Sequence, residues 1–339
     1  MHNSQNGTSV AIGGSGVGWG GSGDLTGGSP QATPNNTLLV TTCVGCHTST
    51  TSSTIINLGS NRIPIVYNTV LPTTPLAGGN FYWVAQGDDT KGHNVYGIAG
   101  QDANLSEAPG RNTSATCAGT CHYTLADPPE PGLFPGNMDR GGCQGCHVFT
   151  AHHDDSKPWY RFLKGHNDWT PTAESFGDYV TGIEDTDWES TKSATDHNYY
   201  KGSTVAYNSD GTGLLNQKTV SSFCAGCHSI FHNTANISSY PGGVPYASPW
   251  LRHPTDIQLP TTSGSEYEAY DPVTNYSTEA PVAWVNPDTP VRAEAVVMCL
   301  SCHRPHGSPY PDMLRWDYST IIAGGGGSGG CFTCHTNKN

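Results

Sequence analysis

Twelve cysteines in this 339-residue chain fall into six pairs, and a histidine follows each pair at once. The pairs read CVGCH (Cys43, Cys46, His47), CAGTCH (Cys117, Cys121, His122), CQGCH (Cys143, Cys146, His147), CAGCH (Cys224, Cys227, His228), CLSCH (Cys299, Cys302, His303) and CFTCH (Cys331, Cys334, His335). Two thiols at this spacing can form thioether bonds to the vinyl groups of a haem, and the next residue then sets an imidazole beneath the iron as proximal ligand. Disulfides would leave the histidine after every second cysteine unexplained. Structural zinc draws its ligands from two separated pairs and has no need of the fixed cysteine–histidine adjacency. The pattern therefore predicts six covalently bound haem c groups. The longer spacer between Cys117 and Cys121 asks only for a wider loop between its two thioether bonds.

Six irons with two axial histidines each need six more imidazoles. Beyond the six proximal ones the chain has nine: His2, His93, His152, His153, His166, His197, His232, His253 and His306. Of these, His2, His93, His166, His197 and His232 precede asparagine, while His152, His153 and His306 follow a motif closely. His152 is the weakest, because adjacent side chains in a His-His pair point in different directions. The candidates for distal ligation are thus His2, His93, His153, His166, His197, His232, His253 and His306. Those that do not ligate would hydrogen-bond haem propionates. Met1, Met138, Met298 and Met313 are not required, one methionine-ligated haem being the alternative. Chemistry on a substrate needs an open coordination position at the iron. Here ligands outnumber irons, so the expectation is an electron carrier and not an enzyme.

The elements that must hold these residues are constrained by composition. Hydrophobic residues make up 35% of the chain and charged ones 13%, with 42 glycines and 24 prolines. That is little aliphatic material for a conventional core of this size, and flat apolar macrocycles would replace it. The expected fold is mostly irregular, with short helices carrying the Cys-His pairs, organised around six covalent haems whose attachment drives folding. Residues 1–38 read as a Gly/Ser-rich N-terminal arm, and 39–339 as one hexahaem cytochrome domain. The second and third motifs are close enough for their haems to be neighbours. The aromatic stretch from 155 to 220 reads mainly as packing, and AGGGGSGG (323–330) as a flexible joint.

A formal charge of −13 argues against nucleic-acid binding. No run of about 18 apolar residues would span a membrane. The start lacks the basic-then-apolar pattern of a signal peptide, and we expect a chain beginning near a processed N-terminus. Covalent haem attachment places the protein outside the cytoplasm, extracellular or at the cell surface.

The chain resembles the extracellular multihaem c-type cytochromes that polymerise into nanowires, the OmcS- and OmcE-like proteins. The resemblance rests on the MHNS start, KGHN around His93, CAGCHSIFHN with LRHP (Cys224 to His253), CLSCHRPHGSPYPDMLRW (Cys299 to Trp316) and the closing CFTCHTNKN. CAGTCH, CQGCHVFTAHH and the insert carrying His166 and His197 depart from it. The resemblance implies bis-histidine ligation throughout, and a continuous haem chain with alternating stacked and perpendicular neighbours. It also implies head-to-tail assembly into a filament whose heterologous contact does not close. It gives His2 a role as ligand to a haem of the adjacent subunit. The expected function is that of an electron-conducting filament subunit. Its partners would be copies of itself and other redox proteins or extracellular acceptors. The alternatives are a non-polymeric periplasmic or cell-surface electron shuttle and, further off, a multihaem reductase.

Overall fold

The computed structural model describes residues 43–58, 61–105, 108–110, 124–128, 141–147, 156, 159–163, 179–204, 217–228, 231, 253 and 255–339, with residue 32 and the backbone of six short strands between residues 4 and 30. His2, Cys117, Cys121, His122, His152, His153, His166 and His232 lie outside the described residues. Among the described residues irregular backbone dominates, as the composition predicts, and two short α-helices occur: α1 (Tyr82–Ala85) and α2 (Val220–Ala225). In the Gly/Ser-rich start, three antiparallel pairs of two-residue strands join Ser4–Gln5 to Thr8–Ser9, Ile12–Gly13 to Ser29–Pro30 and Gly18–Trp19 to Leu25–Thr26.

A five-stranded sheet in the C-terminal half was not foreseen. Its strands are β1 (Gly182–Ile183), β2 (Tyr199–Lys201), β3 (Ile257–Gln258), β4 (Ala283–Trp284) and β5 (Ala295–Val297), in the order β1-β2-β4-β5-β3. Only the β2–β4 pair is parallel, with Tyr200 opposite Ala283. Successive side chains on a strand point to opposite faces, so the sheet divides its apolar residues into two cores. Tyr200, Ala283 and Val296 pack with Tyr160, Val180, Met298 and the α2 residues Val220, Phe223 and Cys224. Tyr199, Trp284, Ala295 and Val297 pack on the other side with Leu259, Tyr270, Tyr276 and Cys334. Strand β5 is covered on both faces and reads as the unbroken apolar run AVV. Burying each Val of that run contributes about 1.5–3 kcal/mol.

The N-terminal half is held differently. A small cluster of Phe81, Val84 and Val95 is flanked by Tyr67, Leu125 and Cys143. Beneath it lies a fully buried amide pair. Asn80 Nδ2 donates to Asn68 Oδ1 at 2.6 Å, and Asn80 Oδ1 accepts from Asn68 N at 3.2 Å and Tyr82 N at 2.9 Å. Asn68 Nδ2 donates to the carbonyls of Thr51 and Ser53 at 2.8 and 2.7 Å. Satisfied amides in a low-dielectric interior specify geometry where few aliphatic side chains are available.

The two halves are sewn together by buried arginines. Arg315 donates to the carbonyls of Leu300 (2.6 Å), Thr278 (3.2 Å) and Ala77 (3.4 Å), and Arg304 to those of Leu76 and Ala77 at 3.1 and 3.4 Å. Gly79 and Gly307 pair as a parallel bridge. A Cβ on Gly79 would stand 2.0 Å from the Gly307 carbonyl oxygen, so the backbones can approach this closely only with glycine there.

Candidate functional site

Each of the five described Cys-His motifs closes one tight turn. The histidine N–H donates to the carbonyl of the first cysteine: His47 to Cys43 (3.1 Å), His147 to Cys143 (2.9 Å), His228 to Cys224 (2.9 Å), His303 to Cys299 (3.1 Å) and His335 to Cys331 (3.0 Å). Four motifs begin as 3₁₀ turns, and only the CAGCH motif starts inside an α-helix, α2. The helices expected to carry the pairs are therefore single turns. None of the ten described cysteines is paired in a disulfide.

Four of the five described motif histidines have the ring set by a backbone carbonyl at Nδ1. His47 Nδ1 lies 2.7 Å from the Pro64 carbonyl, His147 2.8 Å from Arg161, His228 2.7 Å from Pro109 and His303 2.7 Å from Asp312. A carbonyl can only accept, so the proton resides on Nδ1 and Nε2 keeps its lone pair for a metal. His335 differs: its Nδ1 stands 3.3 Å from the Glu266 carboxylate. His93 has the same device as the four, donating to Pro305 at 2.8 Å.

The non-motif histidines were only a pool of candidates in the sequence, and the fold brings three of them opposite motif histidines. His93 faces His228 with ring centroids 6.2 Å apart, His306 faces His147 at 6.2 Å, and His253 faces His335 at 6.1 Å. With a metal–nitrogen bond of about 2 Å and a ring nitrogen about 1.1 Å from its centroid, two imidazoles trans on one metal have centroids about 6.3 Å apart. The donor sets thus fit an iron held between two histidines. They do not fit a bare zinc ion, since no group of three or more His, Cys, Asp or Glu forms a metal site among the described residues.

Burial disfavours the charged form of His306, His93 and His47. His306 is pushed down to about 3 by desolvation and by His147, His93 and His47 around it. Desolvation also lowers His47 and His93, against the opposing pull of the Pro64 and Pro305 carbonyls. The remaining described candidate, His197, sits apart. Its ring is stacked on Tyr276 at 3.6 Å and packed against Tyr199 at 4.3 Å, and the carbonyls of Asn198 and Ala194 hydrogen-bond it.

Segment 303–308 serves three of these positions at once. His303 is a motif histidine, His306 faces His147, and the Pro305 carbonyl orients His93. Gly78 packs against the His306 ring, where a Cβ would lie 3.1 Å from Nδ1. The device that orients His303 occurs a second time. Asp312 and Met313 both take positive φ (57° and 56°), and Leu314 bridges back to His303. Arg161 and Phe162 do the same (48° and 56°), with Leu163 bridging to His147. The sequences WYRFL and YPDML carry this repeat, which the sequence reading missed because the two share little beyond the final leucine.

The motifs also touch one another. The Cys143 thiol hydrogen-bonds to Cys43, holding the Cys43 thiol down at about 7 and pushing Cys143 up. The Cys224 thiol hydrogen-bonds to Cys299, which with burial raises it well above its ordinary value, and Cys146 lies near enough to add to the rise. Burial and the nearby Cys331 and Cys334 push Cys302 up to about 12. The described attachment turns thus run first, third, fourth, fifth, sixth. The second motif, expected beside the third, lies outside the described residues.

Residues 289–339, which hold the fifth and sixth motifs, match the family described as the doubled CXXCH motif. No curated protein matches the chain. Among solved structures the chain is similar to the outer membrane cytochrome S filament from Geobacter sulfurreducens, at 20% identity over 89% of this chain and 82% of that chain, with a TM-score of 0.41.

Proposed function

We propose that this chain is a hexahaem c-type cytochrome that passes electrons without reacting with a substrate, and that its copies join head to tail in an extracellular filament. The observation that carries the reading is the three facing imidazole pairs, each uniting a Cys-His motif with a histidine from elsewhere in the chain at the span of one metal. Bound at these sites, haem c supplies a reversible one-electron iron couple. The chain does the rest. Cysteine pairs would anchor the group, His228 with His93, His147 with His306 and His335 with His253 would hold its iron, and the Nδ1 acceptors fix the rings. His47, His122 and His303 take their partners from His2, His153, His166 and His232, while His197 serves the tyrosine-lined core.

Filament assembly is supported by the resemblance of the MHNS start and by the Gly/Ser-rich arm behind it, which gives His2 reach into a neighbouring subunit. Among the described residues no helix is long and apolar enough to cross a membrane.

Electron microscopy of purified holoprotein tests the assembly. Filaments that vanish with His2→Ala are expected, whereas discrete particles from the unaltered protein would overturn polymerisation and favour a shuttle. Haem quantification, with mass measurement of peptides spanning each motif, tests the cofactor count. Six haems, all low-spin and inert to cyanide, are expected, and a fully open haem would point instead to a reductase.

A further inference from the structure

Four described motif histidines place Nδ1 against an uncharged backbone carbonyl, and the fifth does not. His335 Nδ1 stands 3.3 Å from Glu266 Oε2. That oxygen is buried, and the carboxylate takes hydrogen bonds from the His335 ring and from the Tyr267 side chain. Lys338 Nζ lies 3.7 Å from the same oxygen.

The arrangement is built and not incidental. Thr336, next to His335, donates to the Glu266 carbonyl twice, from its N–H at 2.8 Å and from Oγ1 at 2.7 Å. Arg292 holds the following carbonyl, Tyr267 O, at 3.1 Å. The Tyr267 ring packs 5.1 Å from the His335 ring. Backbone and side chain of segment 266–267 are thereby locked onto the motif turn, and the carboxylate is aimed at the imidazole.

Hydrogen bonding from the non-ligating nitrogen to a carboxylate makes an imidazole a stronger donor to its metal than bonding to a carbonyl does. More electron density on the iron favours the oxidised state, and second-shell hydrogen bonding is one of the levers that set haem potential. Building on the haem ligation proposed above, we propose that Glu266 is a positioning residue that acts through His335 to make the haem of the sixth motif a more reducing centre than it would be with a neutral acceptor. Lys338 tempers this effect by sharing the same oxygen. The last haem in the sequence is thus singled out chemically from those of the first, third, fourth and fifth motifs.

The test is a spectroscopic redox titration of holoprotein at fixed pH, comparing the unaltered chain with Glu266→Gln, Glu266→Asp and Lys338→Ala. Gln keeps the size and can still accept a hydrogen bond but removes the charge. With Glu266→Gln, one component of single-haem amplitude should move so that its reduced-to-oxidised ratio at a given potential rises about tenfold, about 59 mV for a one-electron couple. Haem content and the low-spin spectrum should stay as they were. Glu266→Asp should restore part of the shift, and Lys338→Ala should move the same component the opposite way. Superimposable curves for Glu266→Gln and the unaltered protein would overturn the proposal, as would loss of haem from the variant, which would make Glu266 merely structural. Absence of haem from the C-terminal peptide of the unaltered protein would overturn instead the ligation on which the proposal rests, so the two failures are distinguishable.

Discussion

The halves of this molecule hold equivalent turns by different means. Between residues 179 and 339 a sheet does the positioning: α2 lies on one face with Cys224, Cys334 packs on the other, and β5 runs through Met298 straight into Cys299. Among the described residues between 43 and 147 the apolar packing is scattered, over Ile56, Ile65, Leu76 and the Phe81, Val84 and Val95 cluster, and more of the work falls to the Asn68–Asn80 amide network and to close glycine contacts. The lesson is that a turn closed by its own backbone needs only a rigid platform. Apolar layers and saturated polar networks both provide one, but they fail under different substitutions.

The largest effect should come where the halves meet. Gly79→Ala forces a Cβ to within 2.0 Å of the Gly307 carbonyl oxygen at a φ of +88°. We expect loss of soluble holoprotein, read as haem yield after expression. A normal yield would mean that the halves are not rigidly joined through this bridge.

Within the sheet half, Trp284→Ala removes a side chain 1% exposed and should cost about 3–5 kcal/mol. Thermal unfolding gives the total. Hydrogen exchange should show the loss concentrated at β4 and β5, sparing residues 51–82. Its counterpart in the loop-built half is Asn80→Ala, which strands Asn68 Oδ1 and the Tyr82 N–H and should cost about 1–3 kcal/mol. Exchange there should rise at residues 51–82 and leave β5 protected. If both substitutions loosen the whole chain equally, the two platforms are one cooperative unit.

Smaller effects sharpen the contrast at the level of single turns. Thr219 caps α2 by accepting from Ser222 N at 2.9 Å, and Thr219→Ala should cost about 1 kcal/mol in thermal unfolding. Smallest is Asp88, an exposed cap in the loop-built half. Hydrogen bonds from Lys91 and Thr90 hold its carboxyl below the usual aspartate value. Its contribution is therefore present above about pH 4 and lost as pH falls through the depressed value. Comparing Asp88→Asn with the unaltered chain across pH 2–7 should show the difference only at the upper end.

Much of the site was legible in residues that act locally. A cysteine pair and the histidine after it fit within one turn, and the structure closes each described motif as the spacing suggests, with the histidine N–H on the first cysteine's carbonyl. The irregular fold was also legible, because few aliphatic residues and many glycines and prolines leave little for long regular elements. The sheet was not, since strands of two or three residues such as Ala283–Trp284 are too short to show a period. His197, with the same His-Asn context as His93, was indistinguishable from it in sequence. Only packing puts one opposite His228 and the other between two tyrosines.

By itself, then, the sequence determined which side chains can take part in covalent chemistry: which cysteine pairs stand at thioether spacing, and which imidazole follows each pair. Those choices depend on neighbours along the chain. Tertiary structure alone decided which distant histidine faces which motif, and that Pro64, Arg161, Pro109 and Asp312 offer carbonyls where the sixth motif meets the Glu266 carboxylate. The reason is physical. Any residue has a carbonyl, and any histidine could ligate, so neither role leaves a signature until the fold brings the partners to bonding distance.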